Sequence, residues 1–136
     1  MATISQLVKK TIERKKKKSF SRTPILKKKP QTQGIVLKVF TTSPKKPNSA
    51  LRHVAKIKTN LSCFAIARLP GSGYYCQKFS KVLMEGGRAN DLPGVRYSLR
   101  RGVYDFAPLV SKKKRRSIYG TSRPENYTNY IRKCFR

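Results

Sequence analysis

The apolar positions of this chain fall into short runs with a two-residue period, separated by stretches rich in glycine, proline and small polar residues. Ile35-Val36-Leu37-Lys38-Val39-Phe40 is β-branched and aromatic and predicts a first strand. Residues 51–59 predict a second, alternating from Val54 onward as a half-buried strand does. Asn60 can turn the chain into a third strand over 62–68, which Pro70-Gly71-Ser72-Gly73 ends. Residues 79–84 predict a fourth strand and 95–103 a fifth, and residues 105–108 close the series. Near the amino end Ile4, Leu7, Val8 and Ile12 share one helical stripe, with Thr3 or Ser5 placed to cap it. Such a basic amphipathic helix suits a transit peptide or membrane anchor as well as a short helix docked on a partner. The stripe of four residues and the dense lysine run behind it favour docking.

Five short strands with little helix between them predict an all-β domain, and a five-stranded OB-fold barrel fits best. In that architecture the loops joining strands 1 to 2 and 4 to 5 flank the nucleic-acid site. Those are the two most unusual loops here, residues 41–50 and 86–94. No internal repeat is present.

Charge turns this fold class into a functional class. The 136 residues hold 33 Lys and Arg against 5 Asp and Glu, a formal net charge of +28. Residues 1–30 carry net +10 and residues 109–136 net +8, leaving +10 for residues 31–108. The expected organisation is a barrel over 31–108, a basic amino-terminal arm over 1–30 and a basic carboxy-terminal tail over 109–136. Self-repulsion at this charge destabilises a compact state, and a polyanion relieves it with a gain in counterion entropy. Nucleic acid is therefore the expected partner, and anionic lipid a distant second. The runs Lys15-Lys16-Lys17-Lys18, Lys27-Lys28-Lys29 and Lys112-Lys113-Lys114-Arg115-Arg116 cannot fold alone in water and are expected to bind RNA phosphates. The arms are expected to be largely irregular until RNA orders them. A core this small buries only about 60% of its unfolded surface.

No apolar run approaches the length of a membrane span. Cys63, Cys76 and Cys134 form no CxxC pair, so neither a disulfide framework nor a zinc site is expected. Reduced thiols imply a reducing compartment. No cofactor, metal or catalytic residue is expected. The one histidine, His53, has no obvious partner triad, and the five acids are scattered. Glu85 and Asp91 come nearest to a hydrolytic pair, but pairing with Arg88 and Arg96 is the better reading of them.

The first loop is sharper. Pro44 and Pro47 fix φ on both sides of Lys45-Lys46, and Asn48 and Ser49 can both donate and accept hydrogen bonds. Lysines there would hold phosphate, and the short polar pair would read 2′-hydroxyls and base edges by shape. An ordinary tight turn with solvated lysines is the plainer alternative.

The segment 41–52, Thr-Thr-Ser-Pro-Lys-Lys-Pro-Asn-Ser-Ala-Leu-Arg, followed by Val54-Ala55, resembles the signature of the twelfth protein family of the small ribosomal subunit. Gly86-Gly87-Arg88 and Asp91-Leu92-Pro93-Gly94-Val95-Arg96-Tyr97 resemble the family's second signature, which Arg101-Gly102 continues. The opening residues, the lysine-rich arm and Tyr119-Gly120-Thr121-Ser122-Arg123-Pro124 match in kind, so the resemblance covers nearly the whole chain. It implies an OB-fold beside the decoding centre, with an arm threaded through small-subunit rRNA and neighbouring ribosomal proteins as further partners. It implies that Pro47, Asn48 and Ser49 lie against the minor groove of the codon–anticodon helix of mRNA and tRNA. Lys45, Lys46, Arg52, Arg88 and Arg96 would hold rRNA phosphates. The second loop, with Asn90, Asp91, Leu92, Pro93 and Gly94, would approach the same RNA, and Asp91 matches an aspartate modified in some bacterial members. The expected product is a non-enzymatic rRNA-binding protein that supports accuracy and is not a homo-oligomer. The rival is a free OB-type RNA chaperone or single-strand binder stacking bases on Tyr74, Tyr75, Phe79 or Tyr97. Asn90 stands where the family commonly has lysine, and residues 74–79 replace a usually polar stretch. These drifts, with no transit peptide expected, suggest an organelle-encoded member in the mitochondrial matrix, with the plastid as alternative.

Overall fold

The computed structural model describes residues 3–8, 21–73 and 76–124. Lys15 to Lys18, Glu13, Ile12, Tyr74, Tyr75, Cys134 and the end of the tail lie outside the described residues. Five strands, β1 (Gln31–Thr42), β2 (Arg52–Thr59), β3 (Phe64–Arg68), β4 (Lys81–Gly86) and β5 (Tyr97–Arg100), close into a barrel in the order β1-β2-β3-β5-β4. All neighbours are antiparallel except β3 and β5, which run parallel. This is the expected all-β OB barrel.

The expected strands are present with shifted ends, and the shifts have causes. β1 begins earlier than its apolar run because it serves two partners. Gln31 to Ile35 pair with β4, and Gly34 to Thr42 pair with β2. Partners traced round the barrel run Phe40, Val54, Arg68, Ser98, Glu85, Gln31. The ring thus returns to β1 nine residues before its start, the stagger that a closed, tilted barrel requires. A register shift between Val36 and Lys38 lets β1 turn from one partner to the other. A Cβ on Gly34 would stand 2.5 Å from Ile57 Cγ2 and 2.9 Å from the Lys58 carbonyl oxygen, so the close approach of β2 there needs glycine.

Val36, Ile57, Val82, Met84, Leu99 and Phe106 fill the interior. Each such side chain contributes on the order of 1.5–3 kcal/mol by leaving water. The packed body also takes in part of the amino-terminal arm. A 3₁₀ turn at Pro24–Leu26 places Leu26 in the core, and the Tyr97 hydroxyl accepts the Ile25 N–H at 3.2 Å. Farther out, the helix α1 (Ile4–Val8) starts in a capping box. Thr3 Oγ1 accepts the Gln6 N–H at 3.4 Å and Gln6 Oε1 accepts the Thr3 N–H at 3.1 Å, so Thr3 is its cap.

The first part of the tail is also built in. The Leu109 N–H reaches the Tyr119 carbonyl at 3.0 Å, and the Thr121 hydroxyl donates to the Leu109 carbonyl at 2.9 Å. Residues 109–121 therefore form a closed loop that carries the short helix α2 (Arg116–Tyr119). Its base lies against the barrel where Gly120, at φ 67°, approaches the Arg101 and Gly102 backbone too closely for a Cβ. Within the segments expected to stay irregular until RNA binds, residues 24–26 and 116–121 thus take defined local structure, while Lys112 to Arg115 between them stay exposed.

Arg101 is the largest fully buried side chain. Its guanidinium donates through Nε to the Pro70 carbonyl at 2.6 Å and through Nη1 to Ala107 at 3.0 Å. Nη2 serves Ser72 at 2.6 Å and Gly73 at 3.1 Å. The Phe106 ring lies 4.2 Å from its central carbon. One charged side chain thus holds together the segment after β3 and the segment after β5.

Candidate nucleic-acid interface

β1 ends and β2 begins at the end of the barrel where β4 ends and β5 begins, so the two connecting loops meet there. The meeting is direct: the Lys45 N–H donates to the Asp91 carbonyl oxygen at 2.9 Å. Beside it Arg52 Nε pairs with Asp91 Oδ2 at 3.0 Å. Both side chains are partly exposed, so this pair adds at most about 1 kcal/mol and serves to orient. Within the first loop the Asn48 N–H returns to the Lys45 carbonyl at 3.1 Å, closing a tight turn over a cis Lys46–Pro47 bond. Lys45, Lys46, Pro47, Asn48 and Ser49 are all exposed on that turn.

The second loop is held by its own small core. Ala89, Leu92 and Val95 pack on Val54 and Phe40 outside the barrel interior. Val54 and Ala55 are both buried for this reason, one under the loop and one inside the barrel. Ladder-like bonds from Gly87 N–H to Arg96 and from Ala89 N–H to Val95 continue the β4–β5 pairing into the loop. Leu92, expected among the residues approaching RNA, is an anchor. Arg88, Asn90, Pro93, Gly94 and Arg96 face solvent.

Between the loops lies a groove of about 650 Å³ with Arg22, Lys45, Arg88 and Arg96 on its walls and no carboxylate among its lining residues. The expected pairing of Arg88 and Arg96 with Glu85 and Asp91 is not found. Asp91 takes Arg52, and Glu85 on β4 takes Arg100 Nη1 at 3.6 Å and Gln31 Nε2 at 3.4 Å. Strand pairing brings those partners across from neighbouring strands, whereas nearness in sequence had suggested the others. None of the four groove cations has a carboxylate partner among the described residues, so all four can meet an external anion. The separate partners also remove the basis for a paired-carboxylate hydrolytic site at Glu85 and Asp91. A second depression of about 390 Å³, sharing Leu92 with the first, holds His53, Arg68 and the Arg52–Asp91 pair.

Arg22 is the groove residue that sequence reasoning missed. Its only signal is a single arginine between Ser21 and Thr23, just ahead of the turn that docks Leu26. The runs Lys27 to Lys29 and Lys112 to Arg115 are exposed and do not line this groove. The second run sits on the closed 109–121 loop, where Arg116 opens α2. Among the described residues no group of His, Cys, Asp and Glu could hold a metal, and no helix is long and apolar enough to cross a membrane.

A cationic groove between two mutually bonded loops, beside an exposed turn of short polar residues, can bind phosphates while presenting hydrogen-bonding groups to a nucleic-acid edge. Comparison with known families adds one finding: the model of the family described as Ribosomal protein S12/S23 matches residues 17–125.

Proposed function

The chain belongs to the ribosomal protein S12/S23 family and is a constituent of the small ribosomal subunit, and from that premise we propose that its loop end serves the decoding centre. The observation that carries this reading is the Lys45 N–H to Asp91 carbonyl bond, which makes one surface of two loops far apart in sequence. Lys45, Arg88, Arg96 and Arg22 on the groove walls hold rRNA phosphates and set position without reading sequence. Arg52 acts mainly by holding Asp91. Asn48 and Ser49, exposed on the anchored turn, hydrogen-bond 2′-hydroxyls and base edges that A-form geometry arranges regardless of codon identity. A correct codon–anticodon pair offers that shape and a mismatch distorts it. The protein acts without catalysis, and the mitochondrial ribosome is its proposed location, on the strength of Asn90 and the altered stretch 74–79.

Losing one such hydrogen bond costs on the order of 1 kcal/mol, several-fold in a selection step. Asn48→Ala and Ser49→Ala therefore change misincorporation on ribosomes carrying the variants, with subunit assembly nearly intact. Wild-type accuracy for both would remove the decoding role. Comigration with small subunits in a density gradient at moderate salt separates this reading from a free RNA chaperone.

A further inference from the structure

Away from the loop end, the outer face of the barrel carries apolar side chains in water. Cross-strand pairing sets Lys81, Ile35, Lys58 and Phe64 in one row over β4, β1, β2 and β3. The adjacent row is Lys38, Lys56 and Ile66. Phe79 extends the face, because its N–H donates to the Val36 carbonyl at 2.7 Å beside Ile35 and its side chain shares a shallow groove with Ile35 and Lys81. Phe64 and Phe79 are 58% and 67% exposed, and Ile35 and Ile66 are also open to solvent. Each ring carries its own cation, Lys56 Nζ at 5.5 Å from the Phe64 centroid and Lys78 Nζ at 5.0 Å from that of Phe79. No carboxylate lies in either row.

We infer that this face is a second RNA-binding surface, a stacking platform for unpaired nucleotides that is separate from the loop end. Rings supply π-faces that every base can stack on, and lysines between them meet the phosphate that each nucleotide brings. The lysines also argue against a protein occupant. Lys58 sits in the middle of the row between Ile35 and Phe64, and the dry core of a protein interface is depleted in lysine because burying an unpaired ammonium is costly. The row from Lys81 to Phe64 spans three strand spacings, about 14 Å, room for a few extended nucleotides. Tyr104, under Lys81 at 4.8 Å, marks its far edge, where Asp105 accepts the Lys81 N–H at 2.6 Å.

The test is fluorescence anisotropy on the full chain, at salt high enough to weaken the basic arms. The probes are a labelled oligoadenylate of about a dozen nucleotides and an RNA duplex of the same length, near the site size of such barrels. Phe64→Leu and Phe79→Leu each weaken single-strand binding about tenfold and leave duplex binding unchanged, since stacked pairs offer no free base face. Phe64→Tyr restores it. Both probes bound as by wild type, or both weakened in equal proportion, would overturn the inference. So would a photoreactive group at position 64 in assembled subunits that captures an acidic protein segment in place of unpaired rRNA.

Discussion

Removing the guanidinium of Arg101 tests how the barrel is held shut. It is 1% exposed and among the described residues donates to the carbonyls of Pro70, Ser72, Gly73 and Ala107. Arg101→Met keeps the length and apolar contact with Phe106 but leaves those carbonyls without their donor. A charged donor contributes about 1.5–3 kcal/mol per hydrogen bond, and a buried carbonyl left alone costs about 1–3 kcal/mol. Water reaches some of the four, since Ser72 and Ala107 are exposed residues, and methionine avoids the desolvation of a charge. The net loss is about 2–4 kcal/mol, a large share of the roughly 5 kcal/mol expected of a small domain. Arg101→Lys loses less, because one ammonium keeps the charge but cannot reach carbonyls on both segments. Urea unfolding followed by far-ultraviolet circular dichroism, in high salt to mute self-repulsion, measures both. At a slope near 1–1.5 kcal/mol per molar, the Met variant should unfold about 2 M earlier, with the Lys variant between. A Met midpoint within experimental error of wild type, or a Lys variant equal to it, would refute the clamp.

Three further predictions concern chemistry at other points. Burial pushes the Cys76 thiol from 9.0 up to about 11, against the pull of nearby Arg101 and with a smaller push from Asp105. Cys76 should therefore resist alkylation at pH 8 while the half-exposed Cys63 reacts, which peptide mapping resolves. Because the unfolded thiol ionises first, the Cys76 contribution to stability is full below pH 9 and is lost as pH rises toward 11. Cys76→Val should remove that component of the pH slope. Replacing Lys112, Lys113 and Lys114 by Ala should flatten the salt dependence of rRNA binding by up to about 0.9 per lost phosphate contact, with accuracy unchanged. An unchanged slope would mean that the run is only solvated.

Alternation along the chain made the strands legible because one side chain in two must leave water. It failed where burial has another origin. Residues 95–103 read as one long strand, yet β5 is Tyr97–Arg100. Val95 belongs to the small core under the second loop, and Arg101 begins the clamp. In a chain with 33 basic residues, nothing local marks Arg101 as the one arginine buried among the described residues. Ala89, Leu92 and Val95 recur every third residue and could have been read as packing rather than as a loop open to RNA. The placement of Pro47, Asn48 and Ser49 on an exposed turn was legible from residue types. Which arginines are left for an anion was not, because ion pairs follow strand register. The stacking face was hidden for the same reason, since Lys81, Ile35, Lys58 and Phe64 are neighbours only across strands.

The bond between the two loops runs from one main chain to another, from Lys45 N–H to Asp91 C=O. Neither side chain takes part in it. The contact between the loops therefore survives a change of the Lys45 side chain, which is displayed from the same place, whereas a change at Asp91 also removes its pair with Arg52. On the proposed decoding role, a fidelity phenotype at Lys45 reports a change in what is offered to the RNA, while one at Asp91 combines that change with the release of Arg52.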